Sequence, residues 1–253
     1  MAQAISTKRA PVTGTANRVR KRKPFLLDLY STSLGKKYVM AITGIMMLGY
    51  VIAHMVGNLK MYLGAEDLNH YGEFLRELLV PILPRTVLLW ILRIGLLGAT
   101  LLHIHSAYGL TRINHKARAV KYQGERDYQV ANFASRTMRW SGIIITLFVF
   151  WHLADLTWGT TTAIGTDGEF VRGTPYENIV LSFKRVPVAL FYILANLALG
   201  LHLFHGVWSL FQSLGINNPR FNKWRRHLAT GVAAVVVVGN VSFPIAVLAG
   251  IVG

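Results

Sequence analysis

Five long apolar stretches constrain the fold of this chain more than any other feature. Each is long enough to cross the hydrocarbon core of a bilayer, which takes about 20 helical residues. They run approximately over residues 37–59, 86–113, 140–158, 186–214 and 228–252. Because backbone polar groups in lipid must be satisfied within the segment, each stretch is predicted to be a helix rather than a strand. The predicted fold is therefore an all-α integral membrane bundle of five transmembrane helices.

Composition and charge support a membrane location. Hydrophobic residues make up 53% of the 253 residues and charged residues 15%, which is more apolar than a soluble domain of this size needs. The net charge of +16 would suit a nucleic-acid binder, but the basic residues lie at the ends of the apolar stretches, so lipid is the expected partner and nucleic acid is not. Residues 1–30 are predicted to form a basic N-terminal arm and residues 31–253 the membrane domain, without an internal repeat.

The charges that flank the apolar stretches predict the orientation. Lys and Arg accumulate in short cytoplasmic loops. They are concentrated in the N-terminal arm and in the second and fourth connections, whereas the first and third connections hold most of the acidic residues. The N-terminus is therefore predicted to be cytoplasmic and the C-terminus to lie outside.

Six histidines lie within the apolar stretches, where an ionisable side chain usually faces the bundle interior for a functional reason. At a rise of 1.5 Å per residue, His54 and His152 lie about 25 Å and about 20 Å along their helices from the cytoplasmic ends. His103 and His202 lie about 27 Å and about 25 Å along theirs from the outer ends. Because successive helices are antiparallel, the first histidine pair (His54 and His152) is predicted toward the outer side and the second histidine pair (His103 and His202) toward the cytoplasm.

Two pairs of imidazoles at two depths meet the requirement of two bis-histidine haems. The iron of a b-type haem takes one imidazole on each face, and a chain without cysteine offers no thiolate instead. A lone membrane histidine can also serve only to hydrogen-bond a neighbouring helix. His103 and His105 point about 200° apart, so only one of them can face a haem. His205 shares a helix face with His202 and could reach a propionate, a quinone or the next helix.

Several motifs add a family resemblance. They read GKKYVMAITG at residues 35–44, HMVGN at 54–58, LHIHSAYGLT at 102–111, ASRTMRWSG at 134–142, HLAD at 152–155 and HLFHGVWSLFQSLG at 202–215. In this order they resemble the single-chain dihaem cytochrome b subunits, of the b558 type, of succinate dehydrogenase and fumarate reductase. The resemblance extends over about residues 31–215 and leaves the N-terminal arm and the last helix uncovered.

The resemblance implies two haem b groups, one held by each histidine pair, with His105 and His205 beside them. It implies a membrane anchor for two soluble partners, a flavoprotein that oxidises succinate and an iron–sulfur protein, in the plasma membrane of a bacterial cell. Electrons would enter at the second histidine pair, pass to the first, and reduce menaquinone or ubiquinone. Whether the complex oxidises succinate or reduces fumarate stays open.

Quinone reduction takes up protons, so its site needs polar groups near a membrane surface. The residues proposed for an outer site are Asp155, Asn58, Tyr62 and Glu66, and those proposed for an inner site are Ser31, Ser33 and Tyr30.

Two other functions fit the histidine pattern. One is the haem b subunit of another quinone-linked reductase, such as a nitrate reductase or a hydrogenase, and the other is a transporter whose histidines relay protons.

Overall fold

The structure, a computed structural model, describes residues 24–117, 133–161, 168–216 and 218–253. Its helices are α1 (Phe25–Ser31), α2 (Ser33–Asn58), α3 (Ala65–Glu77), α4 (Val87–Lys116), α5 (Phe133–Leu156), α6 (Pro175–Phe183), α7 (Val186–Ser213) and α8 (Asn222–Leu248). Short 3-10 helices lie at Leu59–Leu63 and Pro219–Phe221, and the described ranges contain no strand. α2, α4, α5, α7 and α8 are long and apolar enough to cross a membrane, which confirms the predicted bundle.

Local signals explain where two of the long helices begin. The Thr32 hydroxyl accepts a hydrogen bond from the backbone N–H of Gly35 at 2.9 Å, which caps the start of α2. Pro187 lies in the first turn of α7, where its missing N–H leaves no helical bond unmade. Residues 1–23 of the predicted N-terminal arm lie outside the described residues, as does most of the basic second connection, residues 118–132.

The outward faces of the long helices are apolar and are not covered by protein. Ile94 is 64% exposed, Trp140 68% and Val238 70%. A continuous apolar surface of this kind would be unfavourable in water. The bundle is therefore built to be surrounded by lipid.

Three shorter helices, α1, α3 and α6, were not predicted because each is too short to cross a bilayer. α3 is amphipathic: Leu68 is 2% exposed, whereas Glu66 and Asp67 are exposed in the first turn, where acidic side chains favour the helix dipole. Its Tyr71 ring lies so close to Gly57 that a side chain at that glycine would overlap it. α3 is thereby held across the end of α2.

The long helices pack in a definite order. α2 packs on α4, α5 packs on α7, and α2 contacts α7, so the four helices run α4–α2–α7–α5 around the bundle. α4 and α5 are not among the closely packed neighbours in the described part of the chain. α8 packs along α7 and contacts α2. We call the end where α2 and α5 begin the basic end, because Lys37, Arg112 and Arg139 are exposed there.

Candidate functional site

The first histidine pair bridges one diagonal of the bundle, from α2 to α5. The ring centroids of His54 and His152 lie 5.9 Å apart and their planes are at 89°. Tyr50 stacks on His54 at 5.3 Å between centroids, and Phe148 lies 5.8 Å from His152. Tyr192 of α7 approaches His152 edge-on at 5.9 Å. Aromatic rings thus surround two imidazoles that face each other across a narrow gap.

The Nδ1 atom of His152 is buried and has no hydrogen-bond partner among the described residues. Buried ring nitrogens usually have one. The contacts of this imidazole with protein are therefore mainly through ring faces and edges rather than through hydrogen bonds.

The second histidine pair bridges the other diagonal, from α4 to α7. His103 and His202 lie close enough to interact electrostatically. Each ring approaches a hydroxyl on the adjacent helix: the Thr43 Oγ1 atom lies 3.1 Å from Nδ1 of His103, and the Ser141 Oγ atom lies 3.2 Å from Nδ1 of His202. The four histidines therefore lie in the two pairs that the depth estimate predicts.

The two additional histidines occupy different surroundings. His105 is exposed, and its Nδ1 atom lies 2.5 Å from the Tyr30 hydroxyl of α1, so it points away from the gap between α4 and α7. Of the two alternatives in α4, His103 is the one that lies near His202. His205 is half-buried and lies near His202 on the same helix.

Residues around the two pairs recur at equal spacing on α2 and α5. The matching positions are Met40, Thr43, Gly44, Tyr50 and His54 on α2, and Met138, Ser141, Gly142, Phe148 and His152 on α5. α2 with α4, and α5 with α7, thus form two similar helical hairpins. The repeat is inconspicuous in the sequence because the apolar residues between these positions are interchangeable in lipid.

Asp155, one of the residues predicted near a quinone, is fully enclosed. Its side chain is 0% exposed and accepts hydrogen bonds from Arg185 at 2.5 Å, from Thr161 at 2.9 Å and from Tyr192 at 3.0 Å. Ser182 donates a further bond. The carboxylate therefore joins α5 to α6 and α7 in a closed polar cluster.

The other residues predicted at that end have partners and positions of their own. Tyr62 donates a hydrogen bond to Ser242 of α8 at 2.7 Å, Glu66 is exposed in the first turn of α3, and Asn58 is the last residue of α2. Nearby, the guanidinium groups of Arg85 and Arg76 hydrogen-bond the Glu73 carboxylate. Both bonds lower the pKa of this carboxyl group, and the bond from Arg85 has the larger effect. These contacts do not bring Asn58, Tyr62 and Glu66 together with Asp155.

The residues predicted at the basic end lie around α1. Ser31 donates to the carbonyl of Asp28 at 2.6 Å, and Ser33 is exposed at the start of α2. Tyr30 is the centre of a small cluster there: besides His105, its hydroxyl lies 3.2 Å from Ser106, and the Lys36 ammonium lies 4.3 Å from its ring. Tyr30 was among the predicted quinone residues, but its contact with α4 was not predicted.

The fold and the site together define a multi-span membrane protein whose helix bundle holds two pairs of imidazoles at two depths. Comparison with known families agrees with this class. The family described as succinate dehydrogenase/fumarate reductase transmembrane subunit matches residues 115–241, half of the chain, and the chain belongs to this family. As a subunit of that complex it associates with the soluble subunits. The matched stretch includes His152 and His202, whereas His54 and His103 precede it. No curated protein and no solved structure matches the chain.

Proposed function

We propose that the chain is the membrane anchor and dihaem cytochrome b subunit of a succinate:quinone oxidoreductase. The first histidine pair carries the proposal. Bonds from a metal to an imidazole nitrogen are about 2 Å long, which puts the centres of two imidazoles on opposite sides of one iron about 6 Å apart. The ring centres of His54 and His152 are 5.9 Å apart. The spacing is therefore compatible with one iron that His54 and His152 would hold between them.

Haem suits these residues better than a bare metal ion. No group of three or more metal-binding side chains occurs in the described part of the chain, so each site offers two ligands only. A haem b would bring its other iron ligands with it and would supply one-electron transfer. The residues of this chain would hold it: His54 and His152 among aromatic side chains, and His103 and His202 beside the hydroxyls of Thr43 and Ser141.

The basic end is proposed as the docking face for the soluble subunits and as the cytoplasmic side. The second histidine pair lies nearer this end, so it would receive electrons from the iron–sulfur subunit. The first histidine pair would carry them further toward a menaquinone or ubiquinone. The second pair, on the α4–α7 diagonal, would serve the first step, and the first pair, on the α2–α5 diagonal, would serve the second.

Quinone sites are proposed at both ends of the bundle, and the electron route above leads to the end opposite the basic end. At the basic end, Ser31 and Ser33 are exposed next to the half-buried Tyr30, which hydrogen-bonds the exposed His105. At the opposite end Asp155 is enclosed by its own donors. The alternative site there, with Asn58, Tyr62 and Glu66, would need the Tyr62 hydroxyl to leave Ser242.

Haem counting tests the proposal. In the purified complex, pyridine haemochrome analysis should find two haem b groups for each copy of this chain, and reduced-minus-oxidised spectra should show cytochrome b bands. A colourless complex would instead favour a histidine proton relay. A haem-containing complex without flavin and without succinate oxidation would favour a different quinone-linked reductase.

A further inference from the structure

We infer that Thr43 and Ser141 are positioning residues for the second histidine pair. Each hydroxyl holds the facing imidazole in the tautomer that carries its proton on Nδ1, which leaves Nε2 free to bind a metal in the gap between α4 and α7. The inference rests on the proposed dihaem function and deepens it, because it assigns the groups that prepare His103 and His202 as ligands.

The hydrogen bonds of Thr43 determine the direction of its contact with histidine. Its Oγ1 atom lies 2.6 Å from the Val39 carbonyl oxygen and 3.1 Å from Nδ1 of His103. A hydroxyl has one hydrogen, and a carbonyl can only accept. The Thr43 hydrogen is therefore donated to Val39, and its oxygen is left to accept the Nδ1 hydrogen of His103. In a neutral imidazole with a proton on Nδ1, Nε2 holds the free lone pair.

Ser141 repeats this arrangement one hairpin later. Its Oγ atom donates to the Met138 carbonyl oxygen at 2.9 Å and lies 3.2 Å from Nδ1 of His202. Thr43 and Ser141 are both buried, 4% and 5% exposed, so water does not compete for these bonds. Two hairpins of different sequence thus place a hydroxyl on the same nitrogen of the two facing histidines.

The neighbours of each hydroxyl hold the same ring. The Met40 carbonyl lies near the imidazole of His103, and the Met138 carbonyl lies near that of His202. The residue after each hydroxyl is glycine, and a side-chain carbon at Gly44 or Gly142 would lie 3.6 Å from Cε1 of the facing imidazole. Each ring is therefore in contact with one turn of the adjacent helix through its Nδ1 edge.

Ordinary hydroxyls in these helices show that the contact is specific. Thr100 donates to the Leu96 carbonyl at 2.9 Å and Thr146 to the Gly142 carbonyl at 2.8 Å, a common arrangement in membrane helices. Among the described residues, neither hydroxyl is hydrogen-bonded to a histidine. An acceptor on the second nitrogen of a metal-bound histidine fixes the ring and makes it a stronger ligand. Thr43 and Ser141 should therefore stabilise ferric over ferrous iron at the second pair.

The test uses the purified complex with Thr43→Val or Ser141→Ala, which remove the hydroxyl with little change in shape. Thr43→Ser and Ser141→Thr keep it, and Thr100→Val and Thr146→Val are matched controls. The hydroxyl-free variants should keep two haems and shift the ferric-to-ferrous preference of one of them by about tenfold, a rise in midpoint potential of about 59 mV for a one-electron couple. The other haem, the hydroxyl-keeping variants and the controls should match the wild type.

Unchanged potentials in Thr43→Val and Ser141→Ala, or an equal rise in the two controls, overturn the inference. If Thr43→Val loses one haem, retention of that haem by Thr43→Ser supports the role of the hydroxyl, and its loss from both variants overturns it. Absence of haem from the wild-type complex contradicts the proposed function itself and is recognised before any variant is compared.

Discussion

At the residue scale, the paired histidines differ in what holds their rings. His54 and His152 are surrounded mainly by aromatic side chains, whereas His103 and His202 each contact a hydroxyl through Nδ1. Aromatic packing restrains a ring through its faces, and a hydrogen bond restrains it through one atom. The two sites should therefore respond differently to changes in their neighbours.

Loss of either histidine of the first pair, the proposed ligands of one haem, should remove that haem. We expect the complex with His54→Ala or His152→Ala to retain one haem per chain, because the second pair lies on the other diagonal of the bundle and keeps both of its ligands. Pyridine haemochrome analysis measures the loss. His70→Ala, which changes an exposed residue of α3, is the control and should retain two haems. Retention of both haems by His54→Ala would show that this histidine is not a ligand.

The two histidines of α4 should behave differently. His103→Ala should leave one haem per chain, whereas His105→Ala should leave two, because the His105 ring is engaged by Tyr30 outside the bundle. Haem content and reduced-minus-oxidised spectra of the two variants are compared directly. The reverse result would mean that the assignment within this motif is wrong.

The histidine pairs could be predicted from the sequence, but the residues that contact them could not. Depth along a helix follows from residue number, so the pairs are predictable from spacing alone. The choice between His103 and His105 depends on which way α4 is turned, and that is set by its packing on α1 and α2. The contacts of Thr43 and Ser141 likewise depend on tertiary packing, although their equal spacing from His54 and His152 was a signal that could have been read.

At the element scale, one buried ion pair joins three helices. Asp155 belongs to α5, Ser182 to α6 and Tyr192 to α7, and Arg185 at the start of α7 is only 10% exposed. Enclosed charges are expensive unless they are paired, so the cluster is stable only as a whole. It fixes the ends of these helices next to His152.

Removal of the Asp155 carboxylate should destabilise the bundle strongly. Asp155→Ala leaves Arg185 buried without its counter-ion, a change that costs about 3–5 kcal/mol in proteins. Denaturant unfolding of the complex in detergent measures the free energy of unfolding. Glu66→Ala, which removes an exposed carboxylate, should change it by less than about 0.5 kcal/mol. Equal stability of the two variants would contradict a structural role for Asp155.

The long helices were predictable as elements, and the short ones were not. Hydropathy over about 20 residues identifies a span, but α1, α3 and α6 are too short to give that signal. The residues that pack against the helix glycines could not be predicted from the sequence either. Gly57 lies against Tyr71, and Gly200 lies against Val237 of α8. A glycine indicates that something comes close, but only the folded chain shows what it is.

At the scale of the whole molecule, the charge distribution predicts the orientation in the membrane. Because the chain contains no cysteine, a single introduced cysteine can report the orientation of the chain without labelling of native thiols in it. Glu66→Cys should react with a membrane-impermeant thiol reagent in intact cells, and Lys223→Cys only after the membrane is opened, since cations collect on the cytoplasmic side. Both side chains are exposed. The opposite labelling pattern would invert the topology and move the docking face of the soluble subunits.

The wall between α4 and α5 differs from the other walls of the bundle. Elsewhere neighbouring helices pack directly, and α8 reinforces the side formed by α2 and α7. On the α4–α5 side, the described residues provide no comparable packing. A ligand that binds only the folded state adds its binding energy to folding. The two proposed haems would be such ligands, so the amount of folded protein in the cell should fall when porphyrin or iron is scarce.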